Sequence, residues 1–186
     1  MRGAEAGRGY IPPMREAPPI IVGAGTRCRI LHTRKTAPGL RLFDVSAVLA
    51  GGGGTHRLSL ARTVMVKDDH WRALSASGRT LAEALAAARE LGVRELQVEV
   101  ELLEQVEEAA AAGATRLLVD NQSADTLRAW GQLARDISPT IELEATGGVS
   151  LHSVASYAEA GADYVSVGAL THSVIAADIS LEVLDA

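Results

Sequence analysis

Cations, carboxylates and glycines alternate along this chain of 186 residues at spacings that suit a shared anionic ligand. His32-Thr33-Arg34-Lys35-Thr36-Ala37-Pro38-Gly39 places two adjacent cations between threonines, ahead of a Pro-Gly turn. Side chains two apart on a strand share a face, so His32 and Arg34 can point together. Gly51-Gly52-Gly53-Gly54-Thr55-His56-Arg57 follows. Its glycines permit close backbone approach, and its N–H groups could face an anion. The bland alternative is a flexible linker. Lys67 closes an apolar run and precedes Asp68-Asp69-His70. Those three neighbours could face one metal ion only with an unusual backbone.

Two acids come next. Val98-Glu99-Val100-Glu101 alternates, which puts Glu99 and Glu101 on one face and the valines on the other. Leu118-Val119-Asp120-Asn121 ends a further apolar run with an acid. Glu99 and Asp120 together suit ribose hydroxyls or a hydrated Mg²⁺, which takes oxygen ligands and keeps several waters. Thr146-Gly147-Gly148 and Gly168-Ala169 follow the last two runs. Glycine turns that open helices can cradle a phosphate, although a tight strand-to-helix turn also calls for glycine. The sum is a cationic sector, an acidic sector and a phosphate cup. It points to a ligand with carboxylates or several phosphates, such as a sugar phosphate.

The elements that must carry these groups are legible as a β-α-β-α alternation. Short apolar runs lie at 28–31, 63–66, 96–100, 116–119, 141–144 and 164–167. Helical periodicity is seen over 80–91, 103–112, 123–137 and 150–161, the last opened by Ser150 and stopped by Gly161. Such alternation predicts a parallel sheet covered by helices. In a barrel the strand C-termini carry the site, and Lys67, Glu99, Asp120, Thr146 and Gly168 all fall there. Residues 21–186 are too few for a complete eight-fold barrel of about 250 residues. The expected fold is therefore α/β: an incomplete, open β/α barrel of about six parallel strands.

Composition narrows the function classes. Aromatic residues make up only 3% of the chain, so the core must be aliphatic. The net charge of −5 argues against a nucleic-acid binder and confines any anion site to a local cluster. Apolar stretches are broken well short of the roughly 20 residues that span a bilayer. A single cysteine, Cys28, excludes an internal disulfide; it reads as a small buried hydrophobe. No secretory signal pattern opens the chain, which makes the cytoplasm the default compartment. Residues 1–20 hold four of the six prolines and no periodicity, and read as a flexible lead-in to a domain over 21–186.

Seven motifs in order resemble a known family. They are His-Thr-Arg-Lys-Thr-Ala-Pro-Gly-Leu-Arg (32–41), Gly-Gly-Gly-Gly-Thr-His-Arg-Leu (51–58), Val-Lys-Asp-Asp-His (66–70), Val-Glu-Val-Glu-Leu-Leu-Glu-Gln (98–105), Leu-Val-Asp-Asn (118–121), Glu-Ala-Thr-Gly-Gly-Val (144–149) and Ser-Val-Gly-Ala-Leu-Thr-His-Ser (166–173). They look like the nicotinate-nucleotide pyrophosphorylases, or quinolinate phosphoribosyltransferases. The resemblance implies conversion of quinolinate and phosphoribosyl pyrophosphate to nicotinate mononucleotide, pyrophosphate and CO₂, with Mg²⁺, in NAD biosynthesis. It implies that Arg34, Lys35, His56, Arg57 and Lys67 surround the quinolinate carboxylates and the pyrophosphate. Glu99 and Asp120 would face the ribose and the metal, and Thr146, Gly147, Gly148, Gly168 and Ala169 the 5′-phosphate. Lys35, Glu99 and Asp120 would be the catalytic groups.

This sequence departs from the family pattern in three places. His32 stands where the family usually has Asp, and Asp69 where it has Asn, which would add a negative charge beside Lys67. The family's N-terminal α/β domain of roughly a hundred residues is replaced here by residues 1–20. In the family that domain lends an arginine to the partner of a homodimer, so a separate N-terminal partner is a further expectation. The segment 179–183 normally returns to that domain, which predicts an uncovered sheet edge or apolar patch. Two other readings stay open: a non-catalytic module that binds phosphate ligands, and a molybdenum-associated paralogous transferase acting on another substrate.

Overall fold

The structure, a computed structural model, describes residues 27–58 and 63–174. The expectations for residues 1–20 and 179–183 lie outside the described residues. Six parallel strands form one sheet among the described residues: β1 (Arg29–Leu31), β2 (Thr63–Val66), β3 (Glu95–Val100), β4 (Arg116–Asp120), β5 (Glu142–Thr146) and β6 (Tyr164–Ser166). Their order is β1-β6-β5-β4-β3-β2. Consecutive strands are neighbours from β2 to β6, and the first strand joins the last. That is barrel connectivity with one seam left open, between β1 and β2. Gly54 reaches β1 at that seam through a parallel bridge to Leu31.

The period of two along each strand gives the sheet two unlike faces. Val66, Leu96, Val98, Val100, Leu117, Val119, Leu143, Ala145 and Val165 turn outward and form the aliphatic core against the helices. Lys67, Glu99, Asp120, Glu144, Thr146 and Ser166 line a cavity on the concave side. The acidic face seen in the sequence is therefore the barrel interior. Glu101 leaves that face: it lies beyond the end of β3 and is exposed.

Seven helices complete the described fold: α1 (Arg41–Ala50), α2 (Asp68–Ser77), α3 (Leu81–Glu90), α4 (Leu103–Ala111), α5 (Ala124–Ile137), α6 (Val154–Glu159) and α7 (Ala169–His172). Local chemistry starts them. Thr80 and Glu83 exchange side-chain-to-backbone bonds of 3.2 and 2.9 Å, and Ser123 Oγ accepts from Thr126 N–H at 3.1 Å. The helix expected from Ser150 begins at Val154, because 150–153 form a turn in which Ser153 Oγ accepts from Ser150 N–H. Helices α1 and α2 follow no periodicity identified above. α1 buries only Val48 and α2 buries no residue. Trp71 and Leu74 of α2, partly buried, still pack against the core. Leu42 and Phe43 of α1 are 82% and 73% exposed.

A repeated device sets strand register. In Ala112-Gly113-Ala114-Thr115, Thr115 donates its N–H to Leu96 O, and its Oγ1 accepts from Leu96 N–H. In Ala160-Gly161-Ala162-Asp163, Asp163 does the same to Leu143. Arg89 closes the first turn on Ala112 and Gly113 carbonyls, and Arg135 closes the second on Gly161. The β3-α4-β4 and β5-α6-β6 units are thus stitched alike at the ends remote from the cavity. No helix among the described residues is long and apolar enough to cross a membrane.

Leu127 is fully buried at the α5–sheet contact. Leu127→Ala is expected to lower unfolding stability by about 2–5 kcal/mol in urea titrations. Leu42→Ala, on the uncovered face, is expected to leave the midpoint of the same chain unchanged within roughly 0.5 kcal/mol.

Candidate active site

A cavity of about 380 Å³ opens at the C-terminal ends of the strands. It brings together Arg34, Lys35, His56, Arg57, Lys67, Glu99, Asp120, Thr146, Gly147 and Gly148, all expected from the sequence. Gly168 and Ala169 are the exceptions, since neither lines it. Ala169 is exposed at the start of α7, and Gly168 faces the His172 ring.

The cationic side is built from β1's exit and the loop after Gly54. Arg34 is half-buried, and its Nε finds no hydrogen-bond partner among the described residues. Burial, with Arg34 close by, pulls the Arg57 guanidinium below its ordinary pKa. Desolvation and like charge are the two stresses that a bound anion relieves. His32 is buried on the cavity wall, its Nδ1 donating to Thr33 O at 3.2 Å. Burial lowers its pKa, which favours the neutral ring. The departure at 32 thus puts an uncharged imidazole where the family has a carboxylate.

The acidic sector spans β3 and β4. Glu99 is ion-paired to Lys67 Nζ, which ties the partly exposed lysine to the cavity wall. Trp71 Nε1 donates to Glu99 O at 3.0 Å and pins α2 to this strand end. Lys67 caps α2, with its N–H donated to His70 Nδ1 at 3.1 Å. The run 68–70 is therefore a helix's first turn. Asp69 is exposed and pairs with Arg72 at 2.9 Å, so its charge adds nothing to the cavity.

Asp120 Oδ2 accepts from Asn121 Nδ2 at 2.7 Å. Asn121 takes φ +52° and donates its N–H to Thr146 O at 3.0 Å, which joins the acidic sector to the glycine turn. Gly147 has φ +79°, and a Cβ there would stand 2.4 Å from Asn121 Oδ1 and 2.8 Å from Asn121 N. Only glycine fits.

The floor was not foreseen. Glu144 is fully buried, and its carboxylate accepts from His56 Nε2 at 3.1 Å, Ser166 Oγ at 2.5 Å and Arg116 Nη1 at 3.1 Å. Arg116 also bonds Glu142 at 2.8 and 3.0 Å and stacks 3.9 Å from the centre of the Tyr164 ring. Burial alone would raise the Glu144 pKa, but His56, Ser166 and Arg116 overcome it and hold it below the ordinary carboxylate value. The signal was present: Glu142-Leu143-Glu144 alternates as Glu99 and its neighbours do.

Comparison with known proteins fits this geometry. The profile of the family described as "Quinolinate phosphoribosyl transferase, C-terminal domain" matches residues 20–182. The chain belongs to this family. It is 41% identical over 156 residues to a probable carboxylating nicotinate-nucleotide pyrophosphorylase of Bacillus subtilis, covering 83% of this chain and 52% of that protein. It is 44% identical over 159 residues to the carboxylating nicotinate-nucleotide pyrophosphorylase of Mycobacterium leprae, covering 85% and 55%. The crystal structure of NadC from Streptococcus pyogenes superposes with TM-score 0.76 at 35% identity, covering 95% of this chain and 62% of that one. The chain spans about half the length of the curated relatives it matches. The family domain thus supplies the barrel rim, its cavity and its charged floor.

Two outcomes are expected. Gly147→Ala should cost about 1–3 kcal/mol of stability, because a left-handed backbone and a close approach both resist a Cβ; urea unfolding measures it. The lowered Glu144 pKa sets a sign for pH dependence: its contribution is complete above the unfolded carboxylate pKa and is lost as pH falls through the lower folded value. Urea midpoints of Glu144→Gln should therefore fall less steeply with acid than those of the parent chain.

Proposed function

We propose that this domain carries the catalytic site of a carboxylating nicotinate-nucleotide pyrophosphorylase. Quinolinate and phosphoribosyl pyrophosphate would give nicotinate mononucleotide, pyrophosphate and CO₂. One observation carries the reading: under-satisfied cations, paired acids and a glycine turn share a single cavity at the strand ends. A dicarboxylate and a polyphosphate sugar are the ligand chemistry that needs all three.

Arg34 and Arg57, with the exposed Lys35, provide charge-assisted donors for the quinolinate carboxylates and the departing pyrophosphate. Glu99 and Asp120 lie where positive charge develops on the ribose as its bond to pyrophosphate breaks. Lys67 orients Glu99 through their ion pair. Thr146, Gly147 and Gly148 offer a hydroxyl and backbone N–H groups to the 5′-phosphate. The pyridine nitrogen then forms the glycosidic bond and becomes cationic. That cation stabilises the carbanion left at the adjacent carbon as CO₂ departs, and a proton replaces it. Catalysis of this kind is mainly positioning and charge compensation.

Mg²⁺ fits the donor set. Glu99 and Asp120 are hard oxygen ligands on one cavity, few enough to leave room for waters and substrate phosphates. When bound, the ion would supply charge neutralisation for the pyrophosphate. A contributing N-terminal domain belongs to the same reading, since this chain covers only 52% of the Bacillus relative, and a homodimer is proposed with it.

The test is release of labelled CO₂ from carboxyl-labelled quinolinate, dependent on phosphoribosyl pyrophosphate. It is run on the chain alone and with the remaining half of the Bacillus relative added. Release in either sample supports the reading, and none in both overturns it. In an active sample Asp120→Asn should lower kcat roughly 10–100-fold.

A further inference from the structure

His56 lines the cavity, yet its ring has nothing left to offer a ligand. Its Nε2 lies 3.1 Å from Glu144 Oε1, and a carboxylate can only accept, so Nε2 carries the proton. Its Nδ1 receives the Arg57 backbone N–H at 2.8 Å, so Nδ1 carries the lone pair. The two partners fix one tautomer and occupy both nitrogens. Glu144 is equally committed, with Ser166 and Arg116 taking the rest of its capacity.

We propose that His56 is a positioning residue and not a ligand contact: buried Glu144, acting through the His56 ring, fixes the backbone of Arg57 and so aims its guanidinium at the cavity. This rests on the proposed function only in taking Arg57 as an anion contact. The need for a clamp is plain from the sequence. Arg57 follows four glycines, which give the chain no side chains to anchor it. Among the described residues, backbone pairing of this segment reaches only as far as Gly54, whose N–H donates to Ile30 O at 2.7 Å. Beyond it, His56 ties the segment to β5.

The experiment has two arms on the 186-residue chain. First, pyrophosphate affinity is measured by calorimetry for His56→Ala, Arg57→Ala and the double variant, with circular dichroism confirming the fold. A residue that acts only through Arg57 gives non-additive losses. The single variants should each lose on the order of tenfold or more, and the double should bind no worse than Arg57→Ala. Losses that multiply would make His56 a contact in its own right and overturn the proposal. An unchanged affinity in Arg57→Ala would overturn it too.

Second, nitrogen NMR of the imidazoles, assigned with His56→Ala, should show His56 protonated on Nε2 and bare on Nδ1, before and after pyrophosphate is added. A proton on Nδ1 in either state, or a doubly protonated ring, overturns the clamp. A chain that binds no pyrophosphate would count against the proposed function, and the nitrogen spectra would still decide the clamp.

Discussion

A carboxylate with no solvent exposure governs the arrangement of this domain. Taking such a charge out of water costs several kcal/mol after relaxation, unless hydrogen bonds and opposite charge replace the water. Glu144 on β5 meets that condition only when Arg116 on β4, Ser166 on β6 and His56 beyond Gly54 all arrive together. Three neighbouring strands and the segment nearest the open seam are therefore fixed by one group. A closed barrel holds its rim by continuous strand pairing. Here β1 and β2 do not pair, and a polar cross-tie does part of that work.

The floor beneath the cavity is internally satisfied. Arg116 faces both Glu142 and Glu144, with Tyr164 covering the guanidinium and donating its hydroxyl to Glu142 at 3.0 Å. The cations above it remain in a different state. Among the described residues Arg34 Nε has no partner, Lys35 is exposed, and burial with the like charge of Arg34 disfavours the charged form of Arg57. A net-acidic chain has thus kept a positive field in one place by spending its buried acids on Arg116, His56 and Lys67. Selectivity for an anion follows from which cations are left unpaired, not from how many there are.

Much of this was readable from residues alone, for physical reasons that can be named. The six strands announce themselves because their outward positions are an unbroken aliphatic series, and their polar C-terminal residues mark the rim. Val98-Glu99-Val100 identified the barrel interior because a parallel sheet is rarely wet on either face. The misses have causes too. α1 and α2 offer the core few residues, buried Val48 from one and partly buried Trp71 and Leu74 from the other. Asp68-Asp69-His70 looked like a strand-end cluster, but a capping interaction between Lys67 and His70 converts it to a helix start and turns Asp69 outward. Gly168 and Ala169 open the short helix α7, which meets the cavity wall where Thr171 hydrogen-bonds Thr33 at 3.1 Å. Glu144 was visible as an alternating acid, but its partners come from three distant segments, and no local pattern reports a contact of that range.

The rim is held by two independent devices, and this bears on how the site could be built or lost. Asn121 accepts a left-handed backbone so that its N–H can reach Thr146 O and its amide can reach Asp120. Gly147 is the one residue that fits beside it. The acidic sector and the glycine turn therefore form a single rigid unit on adjacent strands, with local strain offset by short-range bonds. The cationic sector has no such local frame. It spans the open seam, follows a run of glycines and depends on Glu144 through His56. Damage at β4–β5 would disturb the acidic sector and the glycine turn together, whereas damage at the floor would release the cations while the other half of the site stood. The domain thus separates the part of the cavity that strand geometry makes stiff from the part that a buried charge must hold in place.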